Sequence, residues 1–143
     1  MSVSKILAMK GKAVVTARGD QTLEEASRML SEHRIGAVVV TGAGGTVAGI
    51  LSERDIVKAI SARGAAALTE KVADHMTRKV ITCGAAAPIE TVMELMTQGK
   101  FRHLPIVADG RLDGMISIGD VVKHRLAELE NESRTLREYI SAN

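Results

Sequence analysis

The sequence is short of the residues on which several kinds of chemistry depend. It has one cysteine, Cys83, which excludes an internal disulfide and any cysteine-based metal cluster and reads as a small residue near a strand end. Its four histidines, His33, His75, His103 and His124, share no H-x-x-x-H or H-E-x-x-H spacing, so a zinc site has no motif behind it. Tryptophan is absent, and Phe101 and Tyr139 are the only aromatics, too few to stack single-stranded nucleic acid. A net charge of +2 is too even for a general nucleic-acid binder. No apolar run approaches the ~20 residues of a membrane span, so no membrane partner is expected. The start, MSVSKILAMKGK, shows neither the apolar core nor the cleavage site of a signal peptide, and the expected setting is a bacterial-type cytoplasm. Neither G-x-G-x-x-G after a strand nor GK[ST] occurs, which removes the Rossmann and P-loop readings.

What is present is a repeat. The stretch GILSERDIVKAI begins at Gly49, and GMISIGDVVKHR begins 65 positions later at Gly114. Each runs glycine, serine three residues on, aspartate three beyond that, and an apolar pair. Hydrophobic residues make up 45% of the 143 positions and charged ones 25%, as in a soluble globular chain. Units of roughly 60 residues bury little surface alone, so the two halves are expected to fold against each other.

Laying VITCGAAAPIETVMELM on VVTARGDQTLEEASRML at an offset of 66 gives both halves one pattern: strand, helix, strand, turn, strand, helix. The first strands are expected at Val14-Val15 and Val80-Ile81, the second at 37–40 and 104–107, the third at 47–51 and 112–116. The first helix of the front half opens at Thr22 with Glu25 three residues on, a capping box, and buries Leu23, Ala26 and Leu30. Its counterpart opens with Pro88 in its first turn and buries Ile89, Val92, Met93 and Met96. TGAGGT and ADGR are the hairpin turns, rich in residues that tolerate positive φ.

This doubled β-α-β-β-α unit resembles the cystathionine β-synthase (CBS) domain, which occurs in pairs. IGAVVV in the front half, FRHLPIV in the back half and the bridging VADHMTRKVIT add to the likeness, which spans about residues 6–126. The resemblance implies an α/β (α+β) fold of two repeats, 1–66 and 67–126, packed with pseudo-two-fold symmetry. Residues 127–143 would form a helical extension.

A strand that runs straight into a helix N-terminus presents unpaired N–H groups and a dipole that favour an anion such as phosphate. An aspartate in that first turn has two readings. It caps the helix by folding back on the serine, or it offers its oxygens to the paired hydroxyls of a ribose. In CBS pairs the aspartate of one repeat holds the ribose and the other repeat surrounds the adenine. Carried over, the resemblance implies one site of Ser52, Arg54 and Asp55 with Val80, Ile81, Arg102, His103, Leu104 and Pro105. The other would combine Ser117, Gly119 and Asp120 with Val14, Val15, Ile35, Gly36, Ala37 and Val38. The first is the more basic, because Gly119, Gly36 and Ala37 replace Arg54, Arg102 and His103, so it is expected to hold the more phosphorylated or the more tightly held ligand. Arg54 reads equally as a surface ion pair, and His103 as a packed histidine. The resemblance makes AMP the leading ligand, with ADP, ATP, NAD(H) or S-adenosylmethionine as alternatives.

After Asp120, residues Val122, Leu126, Leu129, Ser133, Leu136 and Ile140 alternate four-three spacing over nearly three heptads. This long amphipathic helix either packs back on its own domain or meets the same helix of a second chain, and CBS pairs commonly form homodimers. Three functions follow: a nucleotide-sensing module that signals to a regulated partner protein, a structural adaptor with vestigial pockets, and an enzyme. No nucleophile with its base, paired carboxylates or metal cluster supports catalysis, so no catalytic cofactor is expected.

Overall fold

The computed structural model describes residues 2–142. Helix α1 (Val3–Lys10) is followed by β1 (Thr16–Ala17), α2 (Leu23–His33), β2 (Ala37–Thr41), β3 (Val47–Ser52) and α3 (Glu53–Arg63). A link with two short 3₁₀ turns leads to α4 (Ile89–Gly99), β4 (His103–Ala108), β5 (Arg111–Ser117) and α5 (Ile118–Ala142). The mixed α and β architecture, written twice and ending in a long helix, is the one the repeat predicts.

The front half forms a three-stranded sheet in which β1 runs parallel to β2 and β2 antiparallel to β3. The back half keeps only the β4-β5 hairpin. Two strand expectations therefore need correcting. Strand β1 begins at Thr16, so Val14 and Val15 precede it. Val80 and Ile81 form no strand; what survives there is one bridge, Cys83 to Ile106, the counterpart of the Ala17–Val40 pairing. The backbone of Cys83 donates to Pro105 O at 3.3 Å and accepts from Val107 N at 2.9 Å. Cys83 is half-buried and free, as a small residue at a strand end should be.

Helix α2 starts at Thr22 with half of the expected capping box, the Thr22 hydroxyl accepting from Glu25 N while the Glu25 carboxylate accepts from Gln21 Nε2, and it buries Leu23, Ala26 and Leu30. Helix α4 has Pro88 at its N-cap and buries Ile89, Val92 and Met96. Met93, expected inside, is exposed: the buried stripe is narrower than the apolar one. Each half has its own apolar cluster, one around Leu23, Val38, Val40 and Leu51, the other around Ile89, Leu104, Ile106 and Ile116.

The chain ahead of each repeat crosses to the other one. Helix α1 leads into the front half, yet Val3, Ile6 and Leu7 are buried in the back half's core. Residues ahead of the back half return the exchange, with Val72 in the front core and Met76 packed against it. The bonds match: Val3 N and Ser4 N donate to Ala87 O and Ala85 O, while Val72 N and Ala73 N donate to Gln21 O and Gly19 O. Fully burying side chains such as Ile6 and Leu7 stabilises the fold by about 1.5–3 kcal/mol each. The repeat glycines make the crossing possible. A Cβ at Gly114 would lie 2.8 Å from Leu7, and one at Gly49 would lie 2.6 Å from Met76.

On α5, Val121 and His124 face inward, while Val122, Leu126, Leu129, Leu136 and Ile140 are exposed. The heptad stripe does not pack on its own domain. No helix among the described residues is long and apolar enough to cross a membrane.

Candidate functional site

Strand β3 ends in Ser52, whose extended backbone makes it the N-cap of α3. The capping box is complete: Asp55 N donates to Ser52 Oγ at 3.4 Å, and Asp55 Oδ2 accepts from Ser52 N at 2.8 Å. Such a cap contributes about 1 kcal/mol. The Ser52 hydroxyl also donates to Oδ2 at 3.1 Å, so Oδ1 has no partner among the described residues. Glu53 N donates to Gly36 O at 3.0 Å. The next N–H, on Arg54, has no protein partner among the described residues and belongs to the end of the helix that favours an anion.

A cavity of about 340 Å³ opens beside this turn. Ligand sites fall in the range of about 300–1,000 Å³. The front half contributes Gly36, Ala37, Ile50, Ser52, Glu53, Arg54 and Asp55 to its wall, and the chain from Thr77 to His103 contributes the rest. His103 lies over Gly36, where a Cβ would be 3.3 Å from the ring and 2.9 Å from Glu53 Oε1. Burial, reinforced by the charge of Arg102, pushes the His103 imidazole below its usual pKa against the pull of Glu53. Burial and the Arg102 charge both favour the neutral imidazole.

Ser52, Arg54, Asp55, Val80, Ile81, Arg102 and His103 all line this cavity. Leu104 and Pro105 do not; they are buried in β4. Gly36 and Ala37, expected in the other site, form part of this wall. Lys79, Lys100, Phe101 and Thr77 also line it and were not anticipated, because they lie outside the doubled motif; Glu53 lines it too, from a variable position within the motif. The basic pairs in TRKV and GKFR were their one visible signal.

Around Asp120 the same turn looks different. Ser117 caps α5, with Asp120 N donating to its Oγ at 3.1 Å and Asp120 Oδ2 accepting from Ser117 N at 2.9 Å. Lys10, from the end of α1, donates to that same Oδ2 at 2.6 Å and to Met115 O at 2.9 Å. Partial burial opposes ionisation of Asp120, but the Lys10 ammonium and the Ser117 N–H outweigh it and hold the carboxyl below its ordinary pKa. Of the partners expected here, Val38 is buried in the core, Val15 packs against it, and Val14 is half-buried ahead of β1. Ile35 lines a shallow depression beside α2, and Gly119 borders the apolar face of α5. Lys10 was not anticipated, because the helix that carries it lies ahead of the repeated pattern. The described residues hold no cluster of His, Cys, Asp and Glu able to ligate a metal.

Comparison with known proteins matches residues 4–62 and 72–127 each to the CBS domain. The CBS domain-containing protein CBSX3, mitochondrial, of Arabidopsis thaliana is 34% identical over 147 residues, covering 97% of this chain and 71% of that protein. The crystal structure of the CBS-domain containing protein ATU1752 from Agrobacterium tumefaciens superposes with a TM-score of 0.84 at 49% identity, covering 87% of this chain and 99% of that one. The CBS domain pair of protein MJ0100, crystallised with 5-methylthioadenosine and S-adenosyl-L-methionine, gives 0.80 at 26% identity, covering 90% and 98%. With both repeats matched and the crossed packing of the two halves in view, the chain belongs to the CBS domain family, as a tandem pair.

Proposed function

We propose that this chain is a regulatory module that binds an adenine nucleotide in the cavity at Asp55 and passes its occupancy to a partner protein. The carrying observation is that one cavity is walled by both repeats, with the helix N-terminus, the Arg54 N–H and Asp55 Oδ1 all at the front-half wall. These groups suit a phosphate and a ribose diol, while Ile50, Val80, Ile81 and Phe101 supply apolar surface for a base. The adenosine common to both ligands of the MJ0100 pair is also common to AMP, ADP, ATP and NAD(H), which supports the same class here.

A ligand held between the repeats couples to their relative arrangement, and it shifts that arrangement only as far as it prefers one form. The role is one of binding and not of catalysis, in a cytoplasmic setting. The exposed stripe of α5 is the surface for a homodimer, because five large apolar residues along this one helix are exposed among the described residues. Mass spectrometry of the small molecules released on denaturing the purified protein tests the central reading. An adenine nucleotide is expected. A protein that releases none, and gains no melting temperature from any adenine nucleotide, contradicts it.

A further inference from the structure

The rim of the Asp55 cavity carries more positive charge than one phosphate requires. Arg54, Lys79, Lys100 and Arg102 all line it, all are exposed, and none pairs with an acid among the described residues. The floor is formed by groups that are buried or half-buried, Ala37, Ile50, Ser52, Asp55 and His103. A nucleoside seated on that floor therefore directs its phosphates toward the cations. Arg54 and Arg102, with the N-terminus of α3, are enough for a phosphate monoester, each guanidinium giving two charge-assisted bonds. Lys79 and Lys100 are additional point charges around the same opening. Like charges gathered there repel one another, and an anion of higher charge relieves that repulsion.

We infer that this cavity selects adenine nucleotides with two or three phosphates over AMP, with Lys79 and Lys100 as the residues that read the phosphate chain. The inference rests on the adenine-nucleotide reading and narrows it. The same rim disfavours S-adenosylmethionine, whose sulfonium, ammonium and carboxylate leave it with a net positive charge where a nucleotide presents only anionic phosphates. At the Asp120 turn Gly119 stands in place of Arg54, and the nearby ammonium, that of Lys10, is already paired with Asp120.

Calorimetry on nucleotide-free protein, without divalent cations, with adenosine, AMP, ADP, ATP, GTP, S-adenosylmethionine and inorganic tripolyphosphate provides the test. Affinity is expected to rise by about threefold per added phosphate, as for exposed ion pairs, and the rise should shrink at high salt. S-Adenosylmethionine should bind more weakly than AMP. A Lys79→Gln, Lys100→Gln double variant should bring ATP close to AMP while leaving adenosine unchanged. Equal affinity for AMP and ATP overturns the inference, and so does a double variant that loses adenosine in proportion to ATP. Adenosine binding with a flat phosphate dependence leaves the adenine reading standing and removes the inference. GTP and tripolyphosphate competing as well as ATP contradict the adenine reading and overturn the inference with it.

Discussion

Asp55 and Asp120 are the same residue in the same motif, each capping its helix through Oδ2, and they differ in what stands in front of them. Asp55 faces a cavity, whereas Asp120 faces the ammonium of Lys10 at 2.6 Å. The repeat has kept the backbone device, a strand ending in a capped helix, and has let the surrounding charges diverge. A shared motif thus specifies a scaffold, and its neighbours decide whether the scaffold is open to a ligand.

The contrast depends on α1, so the strongest way to break it is to unseat that helix. Leu7→Ala removes a fully buried side chain from the back-half core, and urea denaturation should show a loss of about 2–5 kcal/mol. A direct comparison of the two aspartates comes next. Asp55→Ala should weaken nucleotide binding by about 1.5–3 kcal/mol, one to two decades, while Asp120→Ala should leave it nearly unchanged by calorimetry. Equal losses would mean that both turns bind.

Smaller effects sharpen the contrast through pH. The folded Asp120 carboxyl titrates below its unfolded value, so its contribution to stability is present above the unfolded pKa and is lost as pH falls through the folded one. Both Lys10 and Asp120 are partly exposed, so the contribution is under about 1 kcal/mol, and Lys10→Met should reduce it in an acid titration of stability, leaving the part due to the Ser117 N–H. The least effect is expected at His103. Its imidazole is held neutral, so it charges only below its usual range, and there it adds a cation to the cavity. Wild type should gain anion affinity on acidification relative to His103→Gln, which separates this residue's titration from that of the ligand's own phosphates.

The sequence made the fold legible wherever periodicity or capping chemistry repeated. Thr22, Ser52 and Ser117 mark helix starts because a side-chain oxygen three residues ahead of an N–H is a local signal. Val80-Ile81 misled because β-branched residues favour a strand only where a neighbouring strand offers a ladder, and here pairing is confined to Cys83. Met93 belongs to the same kind of error, since an apolar residue at helical spacing is buried only if the opposing surface is wide enough to cover it. The cavity's aspartate side was legible from the motif. Lys79 and Lys100 were not, because their place at the rim follows from tertiary packing of the 77–103 chain. Helix α1 was missed for a similar reason: its partners lie in the other repeat.

The crossed packing at Gly49 and Gly114 also bears on the order of events during synthesis. Leu7 meets its partner strand at Gly114, roughly a hundred residues downstream, so α1 leaves the ribosome long before the surface that buries it exists. The link at Met76 can settle on Gly49 as soon as it emerges, since both belong to chain already made. The front core is thus completed during translation and the back core only afterwards, when β5 arrives and α1 folds onto it. The Lys10 clasp on Asp120 forms in that closing step, since Lys10 ends α1.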